Sequence, residues 1–486
     1  MGKTDNINNP NRIKAPEAIF FNSLGRMGIT AAGAMISSYM LLFYVKCGMN
    51  LAVLATIFLV AKLFDAFNDV FMAFFFDRIP KDKFGRLKVI SIICVVVFSI
   101  NFLFLWLGPY WAIGNLSFQY TIVWISYILY GIAISLVEIP YNMFNAIQTE
   151  DDNQRANRAP LMAIGQILGG VVITMILPHI ITSVQKSTGG NDMPAYVYAV
   201  IIVVAINLVI SPIGILACKK RVNTIQSTEK IKILDFLACV KVKEVFITCA
   251  CQIGVTGGIS IVYSTIVFYS EYVMEMGQSV TGMVNTLSGI GIFPWLIFGS
   301  LLMKKFYKKN LILAGLGFTV AMFILRMLMP TEAWWIYLIA GLTGIGTGVL
   351  MVVLPVMTIE CNEIAEYKIG RRAEATIGAI NTFFVKIGNT LAVILPAFIL
   401  SRSGFDTNLA SFSAMNPEEY ISMYGSLYVP SSQATGAIIF CTHLLPAIFY
   451  FIAFVLILFW NHTKSKHDVM MVELNERRDK LVNISQ

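Results

Sequence analysis

Apolar residues are grouped in twelve long runs along the chain, and short polar segments separate the runs. Each run holds about 20 residues, the length that an α-helix needs to cross the hydrocarbon core of a bilayer. The polar stretch at 1–17 leads straight into the first run and does not resemble a cleaved signal peptide. The pattern predicts an all-α membrane protein with twelve transmembrane helices, at about 18–45, 51–76, 88–108, 120–146, 159–182, 194–217, 245–272, 280–303, 310–329, 333–358, 374–401 and 435–460.

A long polar interruption between runs, at 219–244, divides the helices six and six. This symmetry predicts two parallel six-helix repeats that enclose a cavity at the midplane of the membrane. The predicted domains are therefore an N-terminal bundle at 1–218, a cytoplasmic linker at 219–244, a C-terminal bundle at 245–462 and a cytoplasmic tail at 463–486.

Composition and charge support the membrane assignment. Hydrophobic residues make up 57% of the 486 residues and charged residues only 13%, whereas a soluble protein carries about 25% charged residues. The net charge of +8 comes from Lys and Arg on alternate loops, which predicts that both termini are cytoplasmic and gives no indication of a nucleic-acid partner. Eight cysteines and four histidines without metal-ligand spacing predict buried thiols, with neither disulfides nor a transition-metal site.

Two aspartates, Asp65 and Asp69, lie one turn apart in the second run, with Asn68 beside them. Each carboxylate at the centre of a membrane costs roughly 2.5–3.5 kcal/mol on insertion scales. Residues at i and i+4 have Cβ atoms about 5–6 Å apart, so both carboxylates stay ionised only if a positive group joins them. We interpret the pair as a site for a proton or a monovalent metal cation. The alternative is a structural ion pair between helices.

We number the predicted helices I to XII in chain order. Helix IV carries Ser135 and, three residues later on the same face, Glu138. The Ser135 hydroxyl could complete an oxygen cage with the helix II residues, and oxygen ligands suit hard cations. Glu138 has a second interpretation as half of a structural pair with a lysine. Lys386 in helix XI is a candidate switch that neutralises the aspartates when no cation is bound, or else half of a permanent salt bridge. Arg326 lies near a helix end, where its side chain is expected to reach the membrane surface.

These residues resemble a known family, the glycoside–pentoside–hexuronide:cation symporters, the melibiose permease group. The likeness runs in register over nearly the whole chain. Its motifs are KLFDAFND at 62–69, DKFGRLK at 82–88, EIPY at 138–141, EYKIGRRAE at 366–374, and Lys386. The resemblance implies the major facilitator fold and symport of a sugar, glycoside or hexuronide driven by Na⁺, Li⁺ or H⁺. It also implies that the cation is bound by Asp65, Asn68, Asp69 and Ser135, with Asp65 and Asp69 as the metal ligands.

The sugar half of the resemblance differs from the family. The acidic residue that the family commonly has in helix I is replaced at about Thr30, with Arg26 one turn earlier. With Lys386 kept, the pocket becomes more positive, which favours a substrate with a carboxylate. The residues expected at the substrate are Arg26, Thr30, Glu138, Asn142, Asn381 and Thr382.

We therefore expect a multi-pass protein of the inner membrane that imports a sugar or sugar acid, with the lipid bilayer, the substrate and a monovalent cation as partners. We expect a monomer with no cofactor besides the coupling ion. Two alternatives stay open: a proton-coupled exporter of amphipathic small molecules and a non-transporting sensor. An enzyme is not expected, because no nucleophile–base pair or metal ligand set lies on the predicted spans.

Overall fold

The computed structural model describes residues 13–77, 84–148, 152–221, 233–329, 331–370 and 374–485. The described residues are helical almost throughout and contain no β-strand. The all-α prediction is thus confirmed. The first half of the chain forms six long helices: α1 (Met27–Lys46), α2 (Leu51–Asp77), α3 (Phe84–Trp111), α4 (Leu116–Gln148), α5 (Asp152–Ser187) and α6 (Met193–Ala217).

The second half begins with the short helix α7 (Ile233–Val240) and continues with long helices. These are α8 (Lys243–Tyr272), α9 (Ser279–Lys305), α10 (Lys308–Arg326), α11 (Ala333–Ile369) and α12 (Glu374–Arg402). The polar insertion that follows is partly helical and contains α13 (Thr407–Met415) and α14 (Pro417–Tyr424). The chain ends with α15 (Ser432–Ile439), a π-helical turn at Phe440–Leu444, α16 (Leu445–Leu458) and the tail helix α17 (Lys464–Ser485).

Eleven helical segments of the described chain are long and apolar enough to cross a membrane. The predicted second span is not among them, although it forms the 27-residue helix α2. At 1.5 Å per residue α2 is about 40 Å long, which is enough to span a bilayer. The side chains of α2 are described only in part. All twelve predicted runs therefore fall on helices, and eleven of them also qualify by composition.

The first of two compact units contains α1 to α6 together with Ser270–Met283 and Ala397–Thr435. Within it, α1 packs closely on α5 and α6, and α4 packs on α2 and α3. Gly169 of α5 is one reason for the close approach, because an ideal Cβ there would lie 2.1 Å from the Thr30 hydroxyl oxygen of α1. A short entry segment with a π-helical turn at Ala18–Ser23 leads into α1.

The second unit contains α7, α8 up to Tyr269, Val284–Pro396 and the chain from Gly436 onward. Its core is built from apolar side chains of α8, α10, α11, α12 and α16, among them Phe323 and Tyr450, whose rings stack 5.8 Å apart. Helix α11 extends to Ile369, beyond the predicted end of its span, and stops where Gly370 adopts a left-handed conformation with φ of 80°. Only glycine takes this conformation without strain. The predicted domain boundaries at 218 and 245 stay predictions.

Candidate functional site

A cluster of polar groups lies where α2 meets α4 in the first unit. Asp65 and Asn68 are each only 5% exposed, and Ser135 is 6% exposed. The side-chain amide of Asn68 and the hydroxyl of Ser135 both donate to the carbonyl oxygen of Gly131, at 3.5 and 3.1 Å. Gly131 also lies against Asp65, because an ideal Cβ on this glycine would be 3.1 Å from Asp65 Oδ1. Three of the four residues expected at the cation thus lie around Gly131, two of them hydrogen-bonded to its carbonyl oxygen.

The oxygen atoms of this cluster are of the type that hard cations prefer. Asp65 contributes a carboxylate, Asn68 and Ser135 contribute an amide and a hydroxyl, and Gly131 contributes a carbonyl, all of which are oxygen ligands suited to hard cations. In the part of the chain that the structure describes, no three His, Cys, Asp or Glu residues are grouped as for a transition metal. The side chain of Asp69 lies outside the described residues. Cation binding by these residues stays a prediction.

Lys62 lies one turn before Asp65 in α2 and is half-buried. Its ammonium group is 5.9 Å from the centre of the Tyr127 ring of α4, a distance typical of a cation–π contact. The α2–α4 contact therefore brings together a lysine, a carboxylate and an aromatic ring.

The helix I residues expected at the substrate lie beside α4 and α5. The guanidinium of Arg26 is half-buried and lies 5.7 Å over the ring of Tyr141. The hydroxyl of Thr30 donates to the carbonyl oxygen of Arg26 at 3.0 Å, so that this donor is used within its own helix. Glu138, which is exposed in the first unit, precedes Tyr141 by three residues and therefore shares its face. The side chain of Asn142 lies outside the described residues.

The remaining predicted residues lie on α12 of the second unit. Lys386 follows Thr382 by four residues, so the two share one face of the helix. Thr382 is exposed and donates to the Gly378 carbonyl oxygen at 3.0 Å, whereas Lys386 is half-buried. Asn381 is half-buried, and its Oδ1 has no hydrogen-bond partner among the described residues. The predicted role of Lys386 as the counterion of the helix II aspartates stays a prediction.

The expectation for Arg326 was wrong. Its side chain does not reach the surface but is 2% exposed at the end of α10, where its guanidinium lies 5.9 Å over the ring of Tyr269. The other side of this cluster is His443, which is fully buried and meets the Tyr269 ring edge-on at 4.7 Å. Its signal in the sequence is a histidine in the middle of the last apolar run.

A buried ion cluster in the first unit was also missed. The ammonium of Lys46, at the end of α1, lies 2.5 Å from Asp192 Oδ2 and 2.7 Å from Glu271 Oε1. The hydroxyl of Ser411 donates to the Lys46 carbonyl oxygen at 2.8 Å, which joins α13 to the same place. The available signal was that Lys46 is one of few basic residues on the loops that the positive-inside rule leaves nearly free of them.

A third buried group lies outside the membrane spans, before α1. The Glu17 carboxylate accepts two hydrogen bonds from the Arg221 guanidinium, at 2.6 and 3.0 Å, and one from the side-chain amide of Gln148 at 2.8 Å. Burial by itself raises the pKa of Glu17, but the hydrogen bonds from Arg221, from the Lys219 backbone N–H and from Gln148 outweigh it. The pKa of this carboxyl therefore lies below its ordinary value.

Known proteins are similar to this sequence over nearly its full length. The model of the MFS/sugar transport protein family matches residues 21–464. The chain belongs to this family. It is 25% identical over 458 residues to the uncharacterized symporter YnaJ of Bacillus subtilis (strain 168), covering 92% of each chain. It is 24% identical over 466 residues to the glucuronide carrier protein homolog of Escherichia coli (strain K12), covering 94% of each.

The fold is also found among solved structures. The nucleoside transporter NupG superposes with a TM-score of 0.57 over 91% of this chain and 99% of its own, at 11% identity, which shows the fold alone. The predicted family and major facilitator fold are confirmed, and so is the prediction of a multi-pass membrane transporter rather than an enzyme. The exporter alternative is not favoured, because the family model and these relatives are named for sugar transport, symport or glucuronide carriage.

Proposed function

We propose that the protein is a cation-coupled symporter that imports a sugar, glycoside or sugar acid by alternating access. The observation that carries the proposal is that the buried side chains of Asp65, Asn68 and Ser135 lie together around Gly131 in the interior of a membrane protein. A buried carboxylate with oxygen ligands around it needs a positive partner. Na⁺, Li⁺ or H⁺ would supply that charge and leave again at the other face of the membrane.

Coupling requires that the bound cation change the affinity for substrate, and by reciprocity that the substrate change the affinity for the cation by the same factor. In the proposed cycle, Asp65 and Asp69 bind the cation with Asn68 and Ser135. Lys386 is proposed to pair with the two carboxylates when the cation has left and so to offset one of their charges, which lets the empty carrier return. Such a switch would prevent the carrier from moving with only one of its two ligands.

The proposed substrate residues are Arg26, Thr30, Glu138, Asn142, Asn381 and Thr382, together with the charge of Lys386. The position of Arg26 favours an anionic sugar, because its guanidinium is half-buried beside Tyr141 and would donate charge-assisted hydrogen bonds to a carboxylate. One relative is named for carriage of a glucuronide, which is a sugar acid conjugate. Glu138 would accept hydrogen bonds from sugar hydroxyls.

We further propose that the protein works as a monomer in the cytoplasmic membrane of a bacterium, with both termini on the cytoplasmic side. This orientation is supported by the alternation of basic and nearly neutral loops along the sequence. Cysteine labelling of a Ser485→Cys variant, compared in intact and in permeabilised cells, tests this orientation. A cytoplasmic tail should be labelled only after permeabilisation.

The function is tested in two stages with purified protein. A thermal-shift screen of sugars and uronates, each with Na⁺, Li⁺ or choline, identifies the substrate and the cation. Uptake into proteoliposomes is then measured with and without an inward gradient of that cation. We expect accumulation only with the gradient, and loss of accumulation in Asp65→Cys and Asp69→Cys variants that still bind substrate. Accumulation by either variant against a substrate gradient would show that helix II is not the coupling site.

A further inference from the structure

A groove of about 700 Å³ in the second unit lies between the beginning of α10 and the end of α16. Its polar lining includes Lys309, Asn310, Asn461, His462 and Lys466. None of the ten described residues that line it is acidic. We call it the α10–α16 groove.

The positive charge of the groove is not neutralised by its lining. Lys309 Nζ donates to the carbonyl oxygens of Leu458 and Trp460, at 3.0 and 2.7 Å, which uses two of its three hydrogens. Lys466 is exposed, and its Nζ contacts one carbonyl oxygen, that of Asn461, at 3.3 Å. Burial, reinforced by the neighbouring His467, lowers the pKa of His462, so this ring adds no charge near neutral pH. The charge of the groove rests on its two lysines.

Two carboxylates, those of Glu244 and Glu360, act electrostatically on His462, but each is paired with a lysine that does not line the groove. Glu360 of α11 forms an ion pair with Lys308, and Glu244 of α8 forms one with Lys368 at 2.5 Å. The electrostatic potential in the groove is therefore positive. The N-terminal end of α10 contributes to it through the positive end of the helix dipole.

The groove lies at the level where a membrane span meets water. The span of α10 begins at Lys308 and that of α16 ends at Leu458. Leu458 and Phe459 are 47% and 58% exposed, which is the apolar surface that lipid chains cover. Trp460, the next residue, is buried in the core of the unit, and its indole N–H donates to the His462 carbonyl oxygen at 3.0 Å, which fixes the chain where it leaves the span.

We propose that the α10–α16 groove binds the phosphate headgroup of an anionic phospholipid, held by Lys309 and Lys466, with the acyl chains against Leu458 and Phe459. Basic pockets at the ends of transmembrane helices are suited to such headgroups. The neighbouring apolar surface favours a phospholipid over a free phosphate ion, because a phosphate ion has no acyl chain to bury against that surface. Because Lys309 also ties α10 to α16, a bound lipid would strengthen the same junction.

The test uses full-length, delipidated protein in a neutral detergent, because lipid binding is independent of transport. Dioleoyl phosphatidylglycerol or dioleoyl phosphatidylcholine is added, and bound lipid is counted by native mass spectrometry while the thermal unfolding midpoint is recorded. We expect binding and a raised midpoint with phosphatidylglycerol only. Lys466→Gln should weaken its binding about fivefold, the effect of one lysine near a membrane surface.

Lys305→Gln is the matched control, because Lys305 is exposed at the end of α9 and does not line the groove. Lys466→Gln decides the test, since Lys309→Gln also removes two structural hydrogen bonds. Equal binding of the two lipids, or equal losses in Lys466→Gln and Lys305→Gln, would overturn the proposal. If inorganic phosphate alone raises the midpoint as much as phosphatidylglycerol does, the groove is a site for free anions and the lipid assignment is wrong.

Discussion

The ammonium of Lys46 lies 2.5 Å from a carboxylate oxygen of Asp192, and the two side chains are only 3% and 4% exposed. The carboxylate of Glu271 contacts the same ammonium at 2.7 Å. One buried cation therefore faces two carboxylates, and its charge neutralises only one of them. The three charges join the end of α1, the beginning of α6 and the end of α8.

Lys46→Met should destabilise the protein strongly, because it leaves the buried carboxylate of Asp192 and the half-buried carboxylate of Glu271 without their cation. Removing one partner of a buried pair costs about 3–5 kcal/mol. Adding Asp192→Asn and Glu271→Gln to Lys46→Met should restore much of the loss. Thermal and denaturant unfolding in detergent measures both effects. Lys186→Met is the control, since Lys186 is exposed near the end of α5. A Lys46→Met variant as stable as this control would show that the cluster contributes no stability.

The pH dependence of stability should depend on Asp192. Burial raises the pKa of Asp192 above 3.8, with Lys46 opposing the shift and Glu271 reinforcing it. The folded state thus binds this proton more tightly than the unfolded state does. The resulting stabilisation is complete below pH 3.8 and is lost as the pH rises through the folded pKa. Asp192→Asn should reduce the decrease of the unfolding free energy with pH in the range above pH 3.8. An unchanged slope in the variant contradicts the assignment.

Glu17 should have the opposite pH dependence. Its pKa is lowered below 4.5, so its contribution to stability is present above that pH and is lost as the pH falls through the folded pKa. Glu17→Gln should cost about 2 kcal/mol at neutral pH, the usual contribution of hydrogen bonds to a charged group. Arg221→Lys should cost part of that, because lysine cannot form the two parallel hydrogen bonds. Unfolding measured across pH checks both, and equal acid sensitivity of wild type and Glu17→Gln would refute the expectation.

Gly131→Ala should weaken binding of the coupling cation. A Cβ at this position would lie 3.1 Å from Asp65 Oδ1 and would displace the carboxylate from its place beside Gly131. Overpacking costs about 1–3 kcal/mol, so a loss of affinity of about tenfold is expected in a titration of the cation-dependent thermal shift. Gly33→Ala is the matched control, because a Cβ there has no atom within 4 Å. Equal cation affinity of the two variants would show that Asp65 does not bind the coupling cation.

Arg26→Gln should narrow the preference for a uronate over its neutral parent sugar. Charge-assisted hydrogen bonds are roughly twice as strong as neutral ones, and the substitution removes the charge while keeping two donors. Competition binding of the two sugars measures the ratio. Arg402→Gln is the control, because Arg402 also lies over a ring, at 5.4 Å from the Phe398 centroid, but is exposed. If the ratio is unchanged in Arg26→Gln, the arginine has a packing role against Tyr141.

The site was predictable from the sequence where local rules decide it. Asp65 and Asn68 lie three residues apart in a helix, and their cost in a membrane identified them as functional candidates. Their neighbour was only partly predictable. Ser135 was selected as an oxygen donor of α4, and its bond to the Gly131 carbonyl is local to that helix, but the approach of Asp65 and Asn68 to Gly131 depends on how α2 and α4 cross.

The sequence by itself determined the helical spans, the division into two halves and the family, because hydrophobic length and local motifs carry that information without knowledge of contacts. Only the tertiary structure decided which charges are buried together. Lys46, Asp192 and Glu271 are far apart in the chain and have no common motif. The position of Arg326 near a helix end likewise predicted that its side chain reaches the surface, but the packing of Tyr269 and His443 encloses it. Burial and pairing depend on helix packing, which brings together residues that no local pattern connects.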